Sequence, residues 1–446
     1  MRKIVITIFS IIIAQFAFSQ TLSLDSCKNL ALENNKQLIQ AKLKVKEAEQ
    51  VKKAAFTKYF PKISAQGFAM RANDYMIKEE IPEMNLPVYD GNPVNLLQPT
   101  EFAYFPGMQI ETFDYTNIAA VTAIQPIFTG GRIINGNKLA KIGVAVNKEQ
   151  LDNKKEEVIL KTENYYWQIV MLEEKQQTLN AYLQMLQNLY KDVSTAYQSG
   201  LVQKSDLLKV QLKLNDVEVK KYQLENGIEI LKMAFCQHLG ITYSESFELS
   251  DSLALIETPE SVYVNHQQAL YNRKEYNLLQ KSLEAEKLKK RMTIGEKLPQ
   301  ISVGVQALYF DAFDKQNSYG IAFASVSIPI SGWWEASHKI KEHKIKEEIA
   351  QTELEEKSEL MLLQMEKSYK DLSESYRQIK IAEISVQQAK EHLKIVSDNY
   401  KAGIVNTSDM LEAQASLLDE ENKLSETKSN YKMKVLNYKK SVAIDL

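Results

Sequence analysis

Helical and strand-like patterns of hydrophobic and polar residues alternate along the chain. Residues 24–58 and 262–297 are rich in Ala, Leu, Lys, Glu and Gln, which favour a helix, and Pro61 or Pro299 ends each segment. Small and β-branched residues then alternate over shorter stretches without a helical stripe, which predicts strands. The strands are predicted at about 61–72, 115–128, 299–310 and 318–330.

A long helix is predicted behind the second strand of each set, at about 132–197 and 335–400. Neither segment contains a proline, and about 65 residues at about 1.5 Å each form a rod about 100 Å long. Hydrophobic residues recur at coiled-coil spacing in the first, namely Leu172, Leu179, Leu183, Leu186, Tyr190, Val193 and Tyr197. Turns at 198–204 and 401–407 are followed by returning helices at about 205–239 and 408–444.

The chain contains an internal repeat, with a first copy at 20–257 and a second at 258–446. Position 31 aligns with 269 and 61 with 299 at an offset of 238, whereas 126 aligns with 329 and 197 with 400 at an offset of 203. The difference of 35 residues is an insertion between Arg71 and Tyr115. This connection, 73–114, contains half of the chain's prolines and is predicted to be an irregular loop.

The first 19 residues have the composition of a secretory signal peptide. A basic start precedes an apolar run at 4–13, and Ala17 and Ser19 give a small-x-small ending before Gln20. A membrane anchor is the alternative, but the run is shorter than the ~20 residues that a spanning helix needs. No Cys stands directly after the predicted cleavage site, so lipid attachment there is not indicated.

Two cysteines, Cys27 and Cys236, remain in the mature chain. In an oxidising compartment they could form a disulfide, and they could equally be small buried residues. Both alternatives stay open at the level of the sequence.

Charge and motifs exclude several functional classes. The 55 basic residues nearly balance the 57 acidic ones, which gives no indication of nucleic acid. The five histidines show no metal-ligand spacing, and Asn137 stands where a phosphate-binding loop needs lysine. We therefore predict no metal, no cofactor and no enzyme active site.

Acidic residues follow both long-helix turns. Ser205 with Asp206, and Ser408 with Asp409, begin the returning helices, where a hydroxyl and an acid can cap the helix start. Asp409 and Glu412 also lie three positions apart and thus share a helix face. Three chains closing around an axis with this face inward would form a ring of six acids that binds cations.

The duplicated Tyr-x-x-Gly-x-x-x-x-x-Asp pattern from Tyr197 and Tyr400, the paired strands, the helix lengths and the signal peptide together resemble the TolC-type outer membrane factor family. The resemblance implies an α+β membrane protein that forms a homotrimer. Its four strands per chain would build a transmembrane antiparallel β-barrel in outer-membrane lipid, continued by a long α-helical coiled-coil barrel across the periplasm.

The resemblance also implies roles for individual residues. Gly200, Leu201, Val202, Gly403, Ile404 and Val405 match the tips that a periplasmic adaptor protein contacts. Tyr400 and Asp206 match a clasp of the closed state, and Asp409 and Glu412 match an acidic constriction. Val405 departs from the pattern, because the best-known member has a basic residue there that contributes to the closed state.

Sequence position suggests three further assignments. Trp333 and Trp334 stand where strand becomes helix, at the expected inner membrane interface, although packing at a helix start explains them too. Lys209 occupies the first-copy position of Glu412, so only the second copy is predicted to build the acidic ring. The inserted loop would lie outside the cell, as a lid or a surface contact.

The predicted function is a passive outer-membrane channel-tunnel, gated at its periplasmic tip, that works with a periplasmic adaptor and an inner-membrane transporter. Export of small molecules such as drugs, as in multidrug resistance, is preferred over type I protein secretion and metal efflux. A periplasmic coiled-coil scaffold or adaptor is the other class, but such a protein does not need four strands of membrane-spanning length.

Overall fold

The structure is a computed structural model that describes residues 21–112, 114–244, 247–254, 256–312 and 315–444. The predicted signal peptide, 1–19, lies outside these residues. The described chain forms two compact units. The first comprises the part up to Gln50, Ile142–Ala285 and the part from Glu347 onward, and the second comprises Val51–Lys141 and Glu286–Lys346.

Helices make up most of the described chain. They are α1 (Leu24–Asn34), α2 (Lys36–Phe56), α3 (Arg132–Gln198), α4 (Lys204–Leu239), α5 (Pro259–Val262), α6 (His266–Leu270), α7 (Lys274–Glu296), α8 (Gly332–Lys401) and α9 (Thr407–Ser441). Among the described helices, none combines the length and the apolar composition that crossing a membrane requires.

Both helices predicted in front of the strands are interrupted. Asn35 divides the first, because its side-chain oxygen accepts the backbone N–H groups of Gln37 and Leu38 and thereby caps a new helix. The single helix predicted at 262–297 is wrong in the same way, since α6 starts behind the cap residue Asn265 and ends before Arg273. Local capping bonds therefore override a composition that favours an uninterrupted helix.

The strands are β1 (Thr21–Leu22), β2 (Lys62–Arg71), β3 (Ile77–Ile81), β4 (Met84–Val88), β5 (Glu101–Phe105), β6 (Met108–Thr112), β7 (Tyr115–Phe128), β8 (Glu248–Leu249), β9 (Gln300–Ala312) and β10 (Lys315–Ser327). Long strands from both repeats form one antiparallel sheet in the second unit, in the order β10-β9-β7-β2. Strands β1 and β8 form a short parallel pair in the first unit.

The two faces of this four-stranded sheet differ in polarity. Directly paired residues lie on the same face, and successive residues alternate between faces. Three successive cross-strand rows place only uncharged, mostly small or aliphatic residues on one face, which we call the apolar sheet face: Ile63, Ala65, Gly67, Ala119, Val121, Ala123, Val305, Ala307, Tyr309, Ser318, Gly320 and Ala322. The opposite face mixes the polar residues Ser64, Gln66, Thr122 and Gln306 with apolar residues: Phe68, Ile118, Ala120, Leu308, Phe310 and Ile321.

The inserted segment between β2 and β7 is not the irregular loop that its prolines predicted. It contains two antiparallel ladders, β3 with β6 and β4 with β5. Pro87 lies within β4, in register with Phe102. A two-stranded ribbon leaves one edge of each strand unpaired, so a proline fits there without the loss of a ladder hydrogen bond.

In the first unit, each copy of the repeat contributes a hydrophobic cluster. The first copy buries Tyr166, Trp167, Phe235 and Leu239, and the second buries Met365, Leu372, Tyr431 and Tyr438. Phe235 and Tyr438 occupy equivalent positions of the repeat, so both copies bury a large aromatic side chain there.

Cys27 and Cys236 are both buried in the first-copy cluster, and both are free thiols. Burial raises the pKa of Cys27 to about 12, with smaller contributions from Asp251 and Cys236. Burial also raises the pKa of Cys236. Of the two alternatives that the sequence left open, the structure shows the small buried residues and not the disulfide.

His238 of α4 joins α3 to Asn35, the residue between α1 and α2. Its Nε2 lies 3.0 Å from Thr162 Oγ1 and 3.3 Å from the Val158 carbonyl, and its Nδ1 lies 3.3 Å from Asn35 Nδ2. Asn35 Nδ2 also donates to the His238 carbonyl oxygen at 2.8 Å. Burial lowers the pKa of the imidazole, so the folded protein favours neutral histidine.

We expect this histidine to make the helical unit sensitive to acid. Because the pKa of His238 is lower when folded, its contribution to stability is present above the unfolded pKa of about 6.5 and is lost as the pH falls below that value. Thermal unfolding followed by circular dichroism at pH 7 and pH 5 should show a smaller pH effect in His238→Gln than in the wild type. An equal effect in both proteins would show that other groups cause the acid sensitivity.

Candidate functional site

The two tip turns have the same backbone geometry. Gly200 and Gly403 adopt positive φ angles of 74° and 72°. In the first turn the N–H of Leu201 donates to the carbonyl of Ala196 at 2.8 Å, and in the second the N–H of Ile404 donates to that of Asn399 at 2.9 Å. This is the Schellman type of helix ending, in which a left-handed residue allows the last carbonyls to be satisfied. The duplicated glycines are therefore required by the turn itself.

Replacing Gly403 by Ala is expected to destabilise the second tip by about 1 kcal/mol. The added Cβ would meet no atom within 4 Å, so the whole cost is the strain of an L-residue at positive φ. Thermal unfolding measured by circular dichroism would report the difference. Gly403→Asn should cost less, since asparagine tolerates this conformation, and an Ala variant as stable as the wild type would contradict the explanation.

A capping box begins the second returning helix. The side chain of Asn406 accepts the backbone N–H groups of Ser408 and Asp409, at 2.7 and 3.2 Å. Asp409 Oδ2 accepts the N–H of Asn406 at 3.0 Å, which completes the reciprocal pair. The predicted cap, Ser408, is wrong by two positions, because α9 already begins at Thr407.

The first returning helix starts differently. Gln203 is its N-cap residue and makes no side-chain capping bond. Asp206 lies in the first turn, where its negative charge is favourable at the positive end of the helix dipole. The two copies thus share the turn but not the cap.

Lys209 connects the two tips within one protomer. Its Nζ lies 3.3 Å from Asp206 Oδ1 in the same helix and donates to Ser408 Oγ of the other copy at 3.1 Å. The sequence marked Lys209 only as the counterpart of Glu412. A contact between residues 199 positions apart depends on how the hairpins pack, so no sequence pattern could have indicated it.

Tyr400 and Asp206 have different partners in the described protomer. Tyr400 Oη lies 3.4 Å from Thr407 Oγ1, across its own turn. Its ring packs against the cluster of Leu189, Val193 and Val210, which holds the two hairpins together near the tips. Asp206 pairs with Lys209, as described above.

The predicted constriction residues lie on one face of α9. Asp409 is half-buried at the start of the helix, and Glu412 is exposed one turn later. The carboxylate of Asp409 also forms the capping box, which fixes its position relative to the turn. The capping box and the predicted place in the constriction are therefore compatible for Asp409.

Each tip exposes one large aliphatic side chain. Leu201 is 79% exposed and Ile404 is 71% exposed, whereas their neighbours Val202 and Val405 are half-buried. The two tips thus expose an aliphatic side chain at matching turn positions.

The tryptophan pair lies at the start of α8. Trp333 is half-exposed, and its indole N–H donates to the Lys297 carbonyl at 2.9 Å. Trp334 is 81% exposed. One ring is thus anchored to backbone within the second unit and the other is open to the surroundings.

The described residues contain no group of His, Cys, Asp and Glu side chains that could hold a metal ion.

The described fold combines an antiparallel sheet built from both repeats with two long helical hairpins that end in matching turns. The model of the outer membrane efflux protein family matches residues 28–230 and 266–440. The chain belongs to this family, and it is an outer-membrane protein. The predicted resemblance to outer membrane factors is thereby confirmed.

Solved channel structures share the fold at low sequence identity. VceC from Vibrio cholerae is 15% identical with a TM-score of 0.72, and the match covers 95% of this chain and 97% of that one. The Campylobacter jejuni CmeC outer membrane channel is 15% identical with a TM-score of 0.75, covering 94% and 85%. The open state of the Neisseria gonorrhoeae MtrE channel is 13% identical with a TM-score of 0.73, covering 94% and 88%. No curated protein sequence matches the chain significantly.

Proposed function

We propose that three copies of this chain form an outer-membrane channel whose helices continue as a tunnel through the periplasm. The observation that carries the proposal is the sheet β10-β9-β7-β2, which has open edges at β2 and β10 and one apolar face. Four strands per chain from three chains give a twelve-stranded barrel.

The unpaired edge strands β2 and β10 argue that the sheet closes into a barrel. Backbone N–H and C=O groups at a sheet edge have no partner in lipid, so a sheet in a membrane is stable only when it closes on itself. The strands are 10 to 14 residues long, which suits tilted strands that cross a bilayer. Pairing β2 of one copy with β10 of the next would satisfy both edges.

The polarity of the two faces argues for a lumen. The apolar sheet face suits contact with lipid tails, and the mixed opposite face, which has Ser64, Gln66, Thr122 and Gln306, is the one that can contact water. This alternation also disfavours the periplasmic scaffold or adaptor, because a protein outside the membrane would not expose Ile63, Val121 and Val305.

The tips are proposed as the gated end of the channel. Asp409 and Glu412 from three copies form an acidic constriction. The closed-state clasp comprises Tyr400, which packs against the cluster of both hairpins, and Asp206, whose partner Lys209 donates to Ser408 of the other hairpin. The adaptor contacts the exposed aliphatic tips at Leu201 and Ile404. The pore is passive, and an inner-membrane transporter supplies the energy for export of small molecules such as drugs.

Two further surfaces receive roles from the same arrangement. Trp333 and Trp334 lie at the inner membrane interface, where amphipathic rings are favoured. The inserted strands β3 to β6 connect the end of β2 at Arg71 with the start of β7 at Tyr115, and they project outside the cell.

Reconstitution in planar bilayers tests the proposal. The purified full chain should form trimers by light scattering and give discrete conductance steps, which become larger when Asp409 and Glu412 are both changed to Ala. Recovery of the protein in the soluble periplasmic fraction, or no conductance from the wild type and the double variant alike, would overturn it.

A further inference from the structure

The inserted ribbon carries an exposed apolar face on the ladder of β4 and β5. Paired residues of a ladder lie on the same face, and successive residues alternate between faces. One face, which we call the apolar ribbon face, therefore consists of Met84, Leu86, Val88, Glu101, Ala103 and Phe105. Met84 is 39% exposed, and Leu86 and Val88 are each 43% exposed. Contiguous exposed apolar residues of this kind are typical of contact surfaces for other molecules.

The loop at the end of this ladder, residues 89–100, exposes further aliphatic residues. Asp90 holds the loop together, because its carboxylate accepts the backbone N–H of Asn92 at 2.9 Å and the side-chain amide of Asn95 at 2.6 Å. The same carboxylate accepts the hydroxyl of Thr100 at 3.0 Å. These bonds involve only polar groups of the loop, and its aliphatic side chains stay exposed: Val94 by 80%, Leu96 by 65% and Leu97 by 93%. The ribbon therefore has an apolar surface along the ladder and at its tip.

The charge of the insertion indicates the sign of its partner. Residues 73–114 contain eight Asp or Glu residues and only one basic residue, Lys78. Lys78 pairs with Asp74 at 2.7 Å, so the other seven acids have no basic counterpart within the insertion. Ribbons of neighbouring copies would repel one another, and anionic lipid head groups would be repelled as well, whereas a basic polypeptide would be attracted.

The outer edge of β5 is open to a further strand. Among the described strands β5 pairs only with β4, so the backbone groups on its other side have no ladder partner. The outer edge of β4 is less suitable, because Pro87 has no N–H to donate. An extended segment that pairs with an open edge places every second side chain on the same face of the ladder.

We propose that the inserted ribbon binds an extended basic polypeptide segment with alternating aliphatic side chains, which adds as a third strand at the edge of β5. The aliphatic side chains of the segment extend the apolar ribbon face, and its basic side chains are attracted by the acids of the insertion. The location of this surface outside the cell rests on the proposed channel function, whereas the binding itself does not.

Short fluorescent peptides test the proposal on the full chain in phosphatidylcholine nanodiscs. Fluorescence anisotropy should show saturable binding of an alternating Lys-Val peptide, about tenfold weaker binding of a Lys-Ser peptide, and no binding of a Glu-Val peptide. Two further Lys-Val peptides carry N-methyl groups on every Lys or on every Val, which removes the donors of one strand edge. One of them should bind about tenfold more weakly and the other should bind like the unmodified peptide. These comparisons use only the wild type, so no variant has to fold for them to count.

Variants then assign the contact surface. Met84→Ser with Leu86→Ser should weaken binding of the Lys-Val peptide about tenfold, because both changes remove apolar surface from the apolar ribbon face. Asn85→Ser is the matched control, since Asn85 is exposed on the opposite face of the same strand, and it should leave the affinity unchanged.

Several results would overturn the proposal. Equal affinities for the Lys-Val and Lys-Ser peptides, no saturable binding, or an equal loss in Asn85→Ser would each contradict it. Dissociation of trimers by the double serine change, measured by light scattering, would show instead that the ribbon contacts a second copy. Binding of added phosphatidylcholine vesicles in place of the peptide would show a lipid contact. The conductance of the same preparations is a separate measurement, so failure of peptide binding leaves the channel proposal standing.

Discussion

Changing Asp409 to Asn and Glu412 to Gln together is expected to lower the cation-over-anion permeability ratio of the reconstituted channel about fivefold, equivalent to about 1 kcal/mol of ion–ring attraction. In the proposed trimer six carboxylates face one narrow passage, so their fields add and attract cations. The amides keep the size of both side chains. The amide oxygen introduced by Asp409→Asn can still accept the backbone N–H of Asn406, so the capping box that positions the residue is retained.

Reversal potentials in asymmetric KCl measure the ratio directly. The difference in permeability ratio between the wild type and the double variant should shrink at high salt, because mobile ions screen the carboxylates. Asp216→Asn is a suitable control, since this acid of α4 lies between Lys213 and Lys220 and is locally compensated. A double variant with wild-type selectivity at low salt would mean that Asp409 and Glu412 do not line the passage.

Replacing Gly295 by Ala is expected to prevent the second unit from packing as it does in the structure. A Cβ at this position would lie 2.2 Å from the carbonyl oxygen of Gly130, a separation that no non-bonded atoms adopt. Gly130 itself has a φ of 62°, so the turn before α3 is fixed in a left-handed conformation and cannot move away easily. Because backbone must shift, we expect destabilisation at or above the about 1–3 kcal/mol typical of overpacking.

The amount of folded protein in the outer-membrane fraction and its thermal unfolding measure this effect. Gly227→Ala is the matched control, since Gly227 lies within helix α4 and an added Cβ would meet nothing within 4 Å. That change should stabilise the helix by about 1 kcal/mol, because alanine is the better helix former. If both variants behaved alike, the close approach of Gly130 and Gly295 would not matter for folding.

The tip region shows how far the sequence could be interpreted. Tyr197 and Tyr400, each three residues before a glycine, predicted two equivalent turns, and the structure has the same backbone bonds in both. Such a turn is a local structure, determined by a left-handed residue and the helix ending around it. The N-cap was misplaced at Ser408 because Ser and Asn are both good caps, and the composition cannot rank neighbouring candidates.

The inserted segment shows the opposite case. Its prolines correctly excluded a long helix, but they did not exclude strands, since the edge of a two-stranded ribbon tolerates a residue without an N–H group. Which residues of the segment pair across the ribbon depends on a register set by contacts 13 to 35 residues apart, from Val88 with Glu101 to Ile77 with Thr112. The strand propensities of single residues do not specify such pairings.

By itself the sequence determined the repeat, the long helices, the four strands and the acids at the returning helices. Each of these follows from a local periodicity of hydrophobic residues or from the spacing of residues along the chain. Only the tertiary structure decided that Lys209 reaches Ser408 and that Gly295 touches Gly130. These features come from side chains and backbone that meet across distant parts of the chain. Their positions follow from packing, which no single stretch of sequence specifies.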